Sequence, residues 1–235
     1  MGWFSKLFGG AAADTPQGTR GLQELARRVG IAAEELGAVV PAYREVRVPK
    51  RSGGERVLHV PSEGLKAVQQ KLLRRVLGRL DPHEAVHGFR KGRSIVSNGK
   101  PHVGKAVVLR MDIRDFFPTT TAERVLAYFL GIGWDGAAAG LLARLTTHQG
   151  GLPQGAPTSP HLSNLVNVPL DARLQATSLR FGATYTRYAD DLTFSFESDE
   201  RASIAAVIRC TQSVVADYGY KLHTKKKLRI ARRHQ

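Results

Sequence analysis

Cysteine is nearly missing from this 235-residue chain. The lone Cys210 excludes an internal disulfide framework and any zinc site built on clustered cysteines. It lies among apolar residues in a helical pattern and reads as a small core hydrophobe. Long apolar runs are missing too: no stretch approaches the ~18 consecutive apolar residues that would span a bilayer. The N-terminus, Met1-Gly2-Trp3-Phe4-Ser5-Lys6-Leu7-Phe8, has neither the apolar run nor the cleavage site of a signal peptide. A cytoplasmic chain that uses no membrane is the expectation. The third scarcity is negative charge. Twenty Asp and Glu against 35 Lys and Arg leave +15. Such an excess favours a polyanionic partner, because each basic group set against a phosphate releases a condensed counterion. On composition alone, nucleic acid and anionic lipid both qualify. The length suffices for one substantial core, or for two small lobes sharing a cleft.

Residues 9–21 read as a loose linker rich in Gly and Ala. Helices are expected over residues 22–29 and 32–39. A β-hairpin follows, with runs 45–49 and 55–60 flanking Lys50-Arg51-Ser52-Gly53-Gly54. Ser62 is a candidate N-cap for a helix with Leu65, Val68, Leu72, Val76 and Leu80 at helical spacing. Its Lys66, Lys71, Arg74, Arg75 and Arg79 suit a solvated face or a phosphate track. Residues 106–111 form an apolar strand ending at Asp112. Helices are expected from Thr121 to Leu130 and onward to about Thr146. The Pro- and Gly-rich loop 152–160 then runs into one helix carrying Leu162, Leu165, Val166, Leu170 and Leu174. Strands 184–188 and 192–196 are joined across Ala189-Asp190-Asp191, and Leu192, Phe194 and Phe196 show the period of a half-buried strand. A helix with Ile204, Val207, Thr211 and Val215 on one face precedes a basic tail. The irregular alternation of helices with hairpins is α+β.

Asp112 closes one strand and Asp190-Asp191 occupies a hairpin turn. Any one of them alone reads as strand-end punctuation. Together they suit nucleotidyl transfer, in which one divalent ion activates the attacking hydroxyl and a second holds the triphosphate. Magnesium prefers oxygen ligands and takes one or two carboxylates plus substrate phosphates.

Tyr188-Ala189-Asp190-Asp191 between two strands resembles the signature of reverse transcriptases. So do Asp112-Ile113-Arg114-Asp115-Phe116-Phe117 at a strand end and Leu152-Pro153-Gln154-Gly155. Val48-Pro49-Lys50, Gly53-Gly54-Glu55-Arg56, Pro61 and Gln69 are similar to the fingers of bacterial members, and His87-Gly88-Phe89-Arg90-Lys91-Gly92-Arg93-Ser94-Ile95 to the next block. Asn98-Gly99-Lys100-Pro101-His102 resembles the Asn-x-x-x-His element of retron reverse transcriptases. The likeness covers roughly residues 43–235.

That resemblance implies a right-hand polymerase palm, an antiparallel sheet with packed helices, plus fingers. Residues 1–21 would be an N-terminal segment and linker, and 22–105 N-terminal helices and fingers. Residues 106–235 would be palm, with part of the fingers between 118 and 150. The family's thumb and its Val-Thr-Gly segment find no counterpart here, so a thumb is expected to be absent from this chain. The implied activity is RNA-directed DNA synthesis from dNTPs onto a primer hydroxyl with two Mg²⁺ ions. The implied partners are a structured noncoding RNA template and the RNA/DNA hybrid, in anti-phage defence, with an effector protein or a partner supplying the thumb.

The resemblance also assigns roles. Asp112 and Asp190 would be the principal metal ligands, with Asp191 beside them and the Ile113 carbonyl as a further ligand. Lys50 and Arg56 would close over the triphosphate, and the amides of Asp115 and Phe116 would meet phosphate. Phe117 would collide with a ribose 2′-hydroxyl and so select deoxynucleotides. Gln154 would contact the incoming nucleotide, and Lys226 would protonate the leaving pyrophosphate. Of Phe116 and Phe117, one is expected in the core. His102 reads as a hydrogen-bonded structural residue, and His148 and His161 lack metal-site spacing. Two other readings stay open: a group II intron-like or other defence-associated reverse transcriptase, and a nucleic-acid-binding palm module without turnover.

Overall fold

The computed structural model describes residues 20–49, 53–223 and 228–232. Lys50, Lys226 and most of the expected linker therefore lie outside the described residues. Arg20 and Gly21 belong to the fold instead: the Arg20 amide donates to the Gly133 carbonyl, and its guanidinium lies over the Trp134 ring.

Strands β1 (Tyr43–Pro49) and β2 (Glu55–Pro61) pair antiparallel as a two-stranded ribbon. Near its tip, Gly53 and Gly54 both take positive φ, which costs glycine nothing. The ribbon's base is tied down. Tyr43 stacks on His148 with ring centroids 4.3 Å apart, and its hydroxyl accepts from buried Gln69.

Gln69 lies on α3 (Glu63–Arg75), which shares one apolar cluster with α1 (Leu22–Val29), α2 (Ala33–Ala38), α6 (Ala122–Gly131), α7 (Gly136–Thr146) and α8 (Ser159–Val166). Leu25, Leu72, Phe129, Leu142 and Leu162 are among its fully buried members. Short polar side chains start two of these helices: Thr121 accepts from the Arg124 amide and Asp135 from the Ala138 amide.

A second cluster lies under an antiparallel sheet with strand order β4 (Ala183–Tyr188), β5 (Asp191–Phe196), β3 (Val107–Arg114), β6 (Lys221–Leu222). Val107, Leu109, Met111 and Ile113 alternate with Val108, Arg110, Asp112 and Arg114 along β3. They pack with Phe194 and Phe196 against α9 (Val168–Arg180) and α10 (Arg201–Asp217). A sheet with one apolar face and one polar face has a single workable register, since a one-residue slip turns every side chain over. Cys210 is half-buried on α10, at the margin of this core. The fold is α+β, as expected. Among the described residues no helix is long and apolar enough to cross a membrane.

Four elements differ from expectation. The helix expected to carry Val76 and Leu80 ends at Arg75 and gives way to a 3₁₀ turn, Leu77–Arg79. Strand β3 does not stop at Asp112 but continues to Arg114, because β6 pairs with Ile113 and Arg114. The single helix expected after residue 160 is two, α8 and α9, broken at Asn167. Pro169 has no N–H to continue the helical ladder, and the Asn167 side chain bonds the Ser163 carbonyl and Tyr220 instead. Part of the basic tail, Arg229–Arg232, forms strand β7, which pairs with β3 alongside Val107–Arg110.

The polar face of the sheet is partly covered by α4 (Ile95–Gly99) and a 3₁₀ turn, Lys100–His102. His102 is the fastener. Its Nδ1 lies 2.7 Å from Ser195 Oγ on β5 and its Nε2 lies 2.8 Å from Thr186 Oγ1 on β4. One ring nitrogen donates and the other accepts, which requires the neutral imidazole. Burial, reinforced by His87 and Lys105, pushes its pKa down to about 4. The unfolded chain therefore takes up this proton first. The stability His102 contributes is complete above its ordinary pKa of 6.5 and is lost as pH falls from there towards about 4. His102→Gln, which keeps a donor and an acceptor without titrating, should show a shallower fall of melting temperature across that window than wild type. Equal slopes in the two proteins would sink this account.

Candidate active site

The sheet brings distant carboxylates together. Asp112 of β3 is the direct cross-strand partner of Asp191, the first residue of β5. Partners of this kind have Cα atoms about 4.5–5.5 Å apart and side chains on one face. Asp190 precedes Asp191 in the turn, and its carbonyl accepts from the Ile113 amide at 2.9 Å. All three aspartates and the Ile113 backbone therefore meet where β3 passes the β4–β5 turn. Asp112 is buried, whereas Asp190 and Asp191 are half-buried.

The turn is held in an uncommon conformation. Ala189 has φ +58, a left-handed value that a residue with a Cβ seldom adopts. Gly88 fills the space beside it so closely that a Cβ there would lie 2.6 Å from the Ala189 nitrogen. The His87 amide donates to the Arg187 carbonyl, which locks this approach in place.

An arginine and a histidine accompany the carboxylates. Arg110, two residues before Asp112 on the same strand face, sits 3.1 Å from Asp191 Oδ2. His223, after β6, places Nε2 3.4 Å from Asp112 Oδ1, and its amide donates to the Asp112 carbonyl. Neither was singled out from sequence. Arg110 lies within a strand read only as apolar, and His223 is brought in by β6 pairing.

Among the described residues, no three His, Cys, Asp or Glu side chains converge as a ready-made cage for a metal ion. The donor chemistry still fits a hard divalent cation: carboxylate oxygens on adjacent strands, with a further backbone carbonyl at Ile113. Such an ion would compete with Arg110 and His223 for Asp191 and Asp112.

The remaining expected residues divide into two groups. Asp115 starts α5 (Phe116–Thr119) with φ +50 and lies exposed beside Arg114. Phe116 is in the core, while Phe117 is half-buried with its ring 5.6 Å from that of Phe116. The Leu152 amide donates to the Phe117 and Thr120 carbonyls, so the Leu-Pro-Gln-Gly loop abuts α5. Gln154 follows, half-buried, and its carbonyl accepts from the His59 amide of β2 at 2.8 Å. Arg56 is not part of this cluster; it stands exposed on β2 opposite Val48, on the separate ribbon. Of the other histidines, His161 bonds the Leu77 and Leu80 carbonyls, and His148 packs between Tyr43 and His59.

One aromatic of the 87–95 block has no role assigned from sequence. Phe89, also at positive φ, exposes 44% of its surface, with its ring 6.0 Å from Phe117 and 6.5 Å from Tyr188. The signal for it was an aromatic set in an otherwise Gly- and Arg-rich loop.

Residues 48–233 match the family described as reverse transcriptase (RNA-dependent DNA polymerase). The chain is 40% identical over 209 residues to the retron Mx65 reverse transcriptase of Myxococcus xanthus, an alignment covering 81% of this chain and 48% of that protein. It is 38% identical to the retron Mx162 reverse transcriptase of the same organism, over 81% of this chain and 44% of the relative. To the retron Ec86 reverse transcriptase of Escherichia coli it is 37% identical, over 75% and 57% respectively. The chain thus spans about half the length of the curated relatives it matches.

The close approach at the turn gives a stability test. Gly88→Ala should destabilise the protein by about 1–3 kcal/mol in urea unfolding, because backbone must move to admit the methyl group. Gly64→Ala on α3, where a Cβ meets nothing within 4 Å, should be neutral or stabilising. A neutral Gly88→Ala would contradict the packing described.

Proposed function

The chain belongs to the reverse transcriptase family, and we propose that it carries the catalytic centre of a retron-type RNA-directed DNA polymerase. The observation that carries this reading is the register of β3 on β5, with Asp112 facing Asp191 and the Ile113 amide bonded to Asp190. Pure binding would not require Asp112 to face Asp191, with Asp190 next to it in the turn, on a chain whose net charge is +15.

The reaction joins the primer's 3′-oxygen to the α-phosphorus of a dNTP. It breaks the bond to pyrophosphate and releases the hydroxyl proton. Asp112, Asp190, Asp191 and the Ile113 carbonyl would hold two Mg²⁺ ions, which supply hydroxyl activation and charge neutralisation at the triphosphate. The chain's own residues do the rest. Arg56 of β2, together with Lys50, pairs with phosphate oxygens. The amides of Asp115 and Phe116, at the turn into α5, donate to the same triphosphate. Phe117 stands beside the sugar and excludes a 2′-hydroxyl. Gln154 contacts the nucleotide, and Lys226 gives a proton to departing pyrophosphate. The basic surplus holds the RNA template and the RNA/DNA hybrid. The template is a structured noncoding RNA and the setting is anti-phage defence; both rest on family resemblance.

Primer extension on an RNA template with Mg²⁺ and dNTPs tests the reading, using the protein at its natural length. Wild type should extend and Asp190→Asn should not, while both retain the hybrid. A wild type that binds the hybrid and extends nothing leaves only a binding module. Phe117→Ala should raise ribonucleotide incorporation, and unchanged sugar discrimination would reject the role given to that ring.

A further inference from the structure

Directly beneath the Tyr188–Asp191 turn lies a charge that the chemistry above does not use. Arg187, on β4, is completely buried. It faces Asp171 of α9, also completely buried, in a forked pair: Nε donates to Oδ1 at 2.7 Å and Nη2 to Oδ2 at 2.6 Å. Burial works against charge on Arg187, but Asp171 more than offsets this and raises its pKa, so the guanidinium stays protonated. Tyr185 donates its hydroxyl to the same carboxylate.

A buried ion pair is a poor device for stability alone, since a well-packed apolar pair is often as good. The use of this one lies in its spare donors. Nη1 points away from Asp171 and donates twice, to the Ala189 carbonyl at 3.0 Å and to Asn164 Oδ1 at 3.1 Å. The Ala189 carbonyl belongs to the peptide that leads into Asp190, at the residue held in the left-handed conformation. A strained conformation persists only where its surroundings over-determine it. Asn164, oriented by the same Nη1, donates to the Gly88 carbonyl at 2.8 Å and so holds the segment that presses on the turn from its other side. The guanidinium face also lies 5.4 Å from the ring of Phe116, next to the residue proposed to sense the sugar.

We propose that Arg187, oriented by Asp171, is a positioning residue for nucleotidyl transfer: it fixes the strained Ala189 peptide and thereby the placement of Asp190 and Asp191. The function at stake rests on the polymerase reading above. The positional claim does not. Lysine cannot substitute, because a single ammonium has no planar fork to serve Asp171 while reaching both Ala189 and Asn164.

The test uses the protein at its natural length and two variants. Arg187→Lys keeps a cation for Asp171. The double variant Arg187→Met with Asp171→Asn removes both charges yet leaves Tyr185 an acceptor, so that a folded protein is retained. Two quantities are read. The first is amide hydrogen exchange across residues 188–191, without metal or nucleotide, with residues 192–196 of β5 as the internal reference. The second is the Mg²⁺ concentration for half-maximal primer extension.

In both variants, exchange at the turn should rise by about tenfold relative to β5, the scale of one lost charge-assisted hydrogen bond. The Mg²⁺ requirement should rise several-fold while dNTP KM changes little. Turn exchange at the wild-type rate would overturn the proposal. So would exchange that rises uniformly over the sheet with a fallen melting temperature, which is what a merely structural pair gives. Were wild type itself unable to extend a primer, the polymerase reading would fail, and the exchange measurement would still decide what Arg187 does.

Discussion

The antiparallel pairing of β3 with β5 governs the site, because it brings Asp112 against a turn almost eighty residues further along the chain. Its register is not free. Leu109, Met111 and Ile113 must meet Phe194 and Leu192 over the helices, and this forces the even-numbered β3 residues onto the opposite face. A slip by one residue would drive Asp112 into the apolar core and Met111 into the cleft. Burial of apolar side chains on one face therefore selects the geometry of the charged side chains on the other. Core packing and site assembly are one constraint seen from two sides of a sheet.

Polar groups buried next to that sheet follow the same logic. His102 clips a 3₁₀ turn to the polar face through two hydroxyls, and Arg187 with Asp171 supports the hairpin turn from the helical side. Each is satisfied by partners from distant segments, as a buried polar group must be. Neither contributes apolar area. What they supply is direction: they fix the chain at places where apolar contacts alone would tolerate several arrangements. Around Ala189 this matters most, since its backbone lies outside the comfortable region for a residue with a side chain.

Legibility from sequence tracks how local the determining physics is. The ribbon, the helices α1, α6 and α7 and the strands around Asp190 follow from periodicity, turn residues and caps, which act within a few residues. The break at Asn167 was hidden because the apolar spacing runs straight through it; Pro169 was the available warning. Strand β7 was hidden because Arg-Ile-Ala-Arg is too short to show alternation, and only pairing to β3 makes it a strand. The same holds for His223, which reaches Asp112 through β6.

The sequence by itself determined which residues could do the chemistry. Three aspartates, a Pro-Gln-Gly loop and a large basic surplus can be read in order along the chain, because residue chemistry and short motifs need no third dimension. Only the tertiary structure decided that Asp112 faces Asp191, that Phe89 shares an aromatic cluster with Phe117 and Tyr188, and that a buried arginine reaches the Ala189 carbonyl. The first two of these contacts join segments far apart in the chain, and the third, between near neighbours, depends on Asp171 of α9 orienting the guanidinium. They are fixed by sheet register and by the satisfaction of buried charge, neither of which leaves a periodic mark on the residues involved.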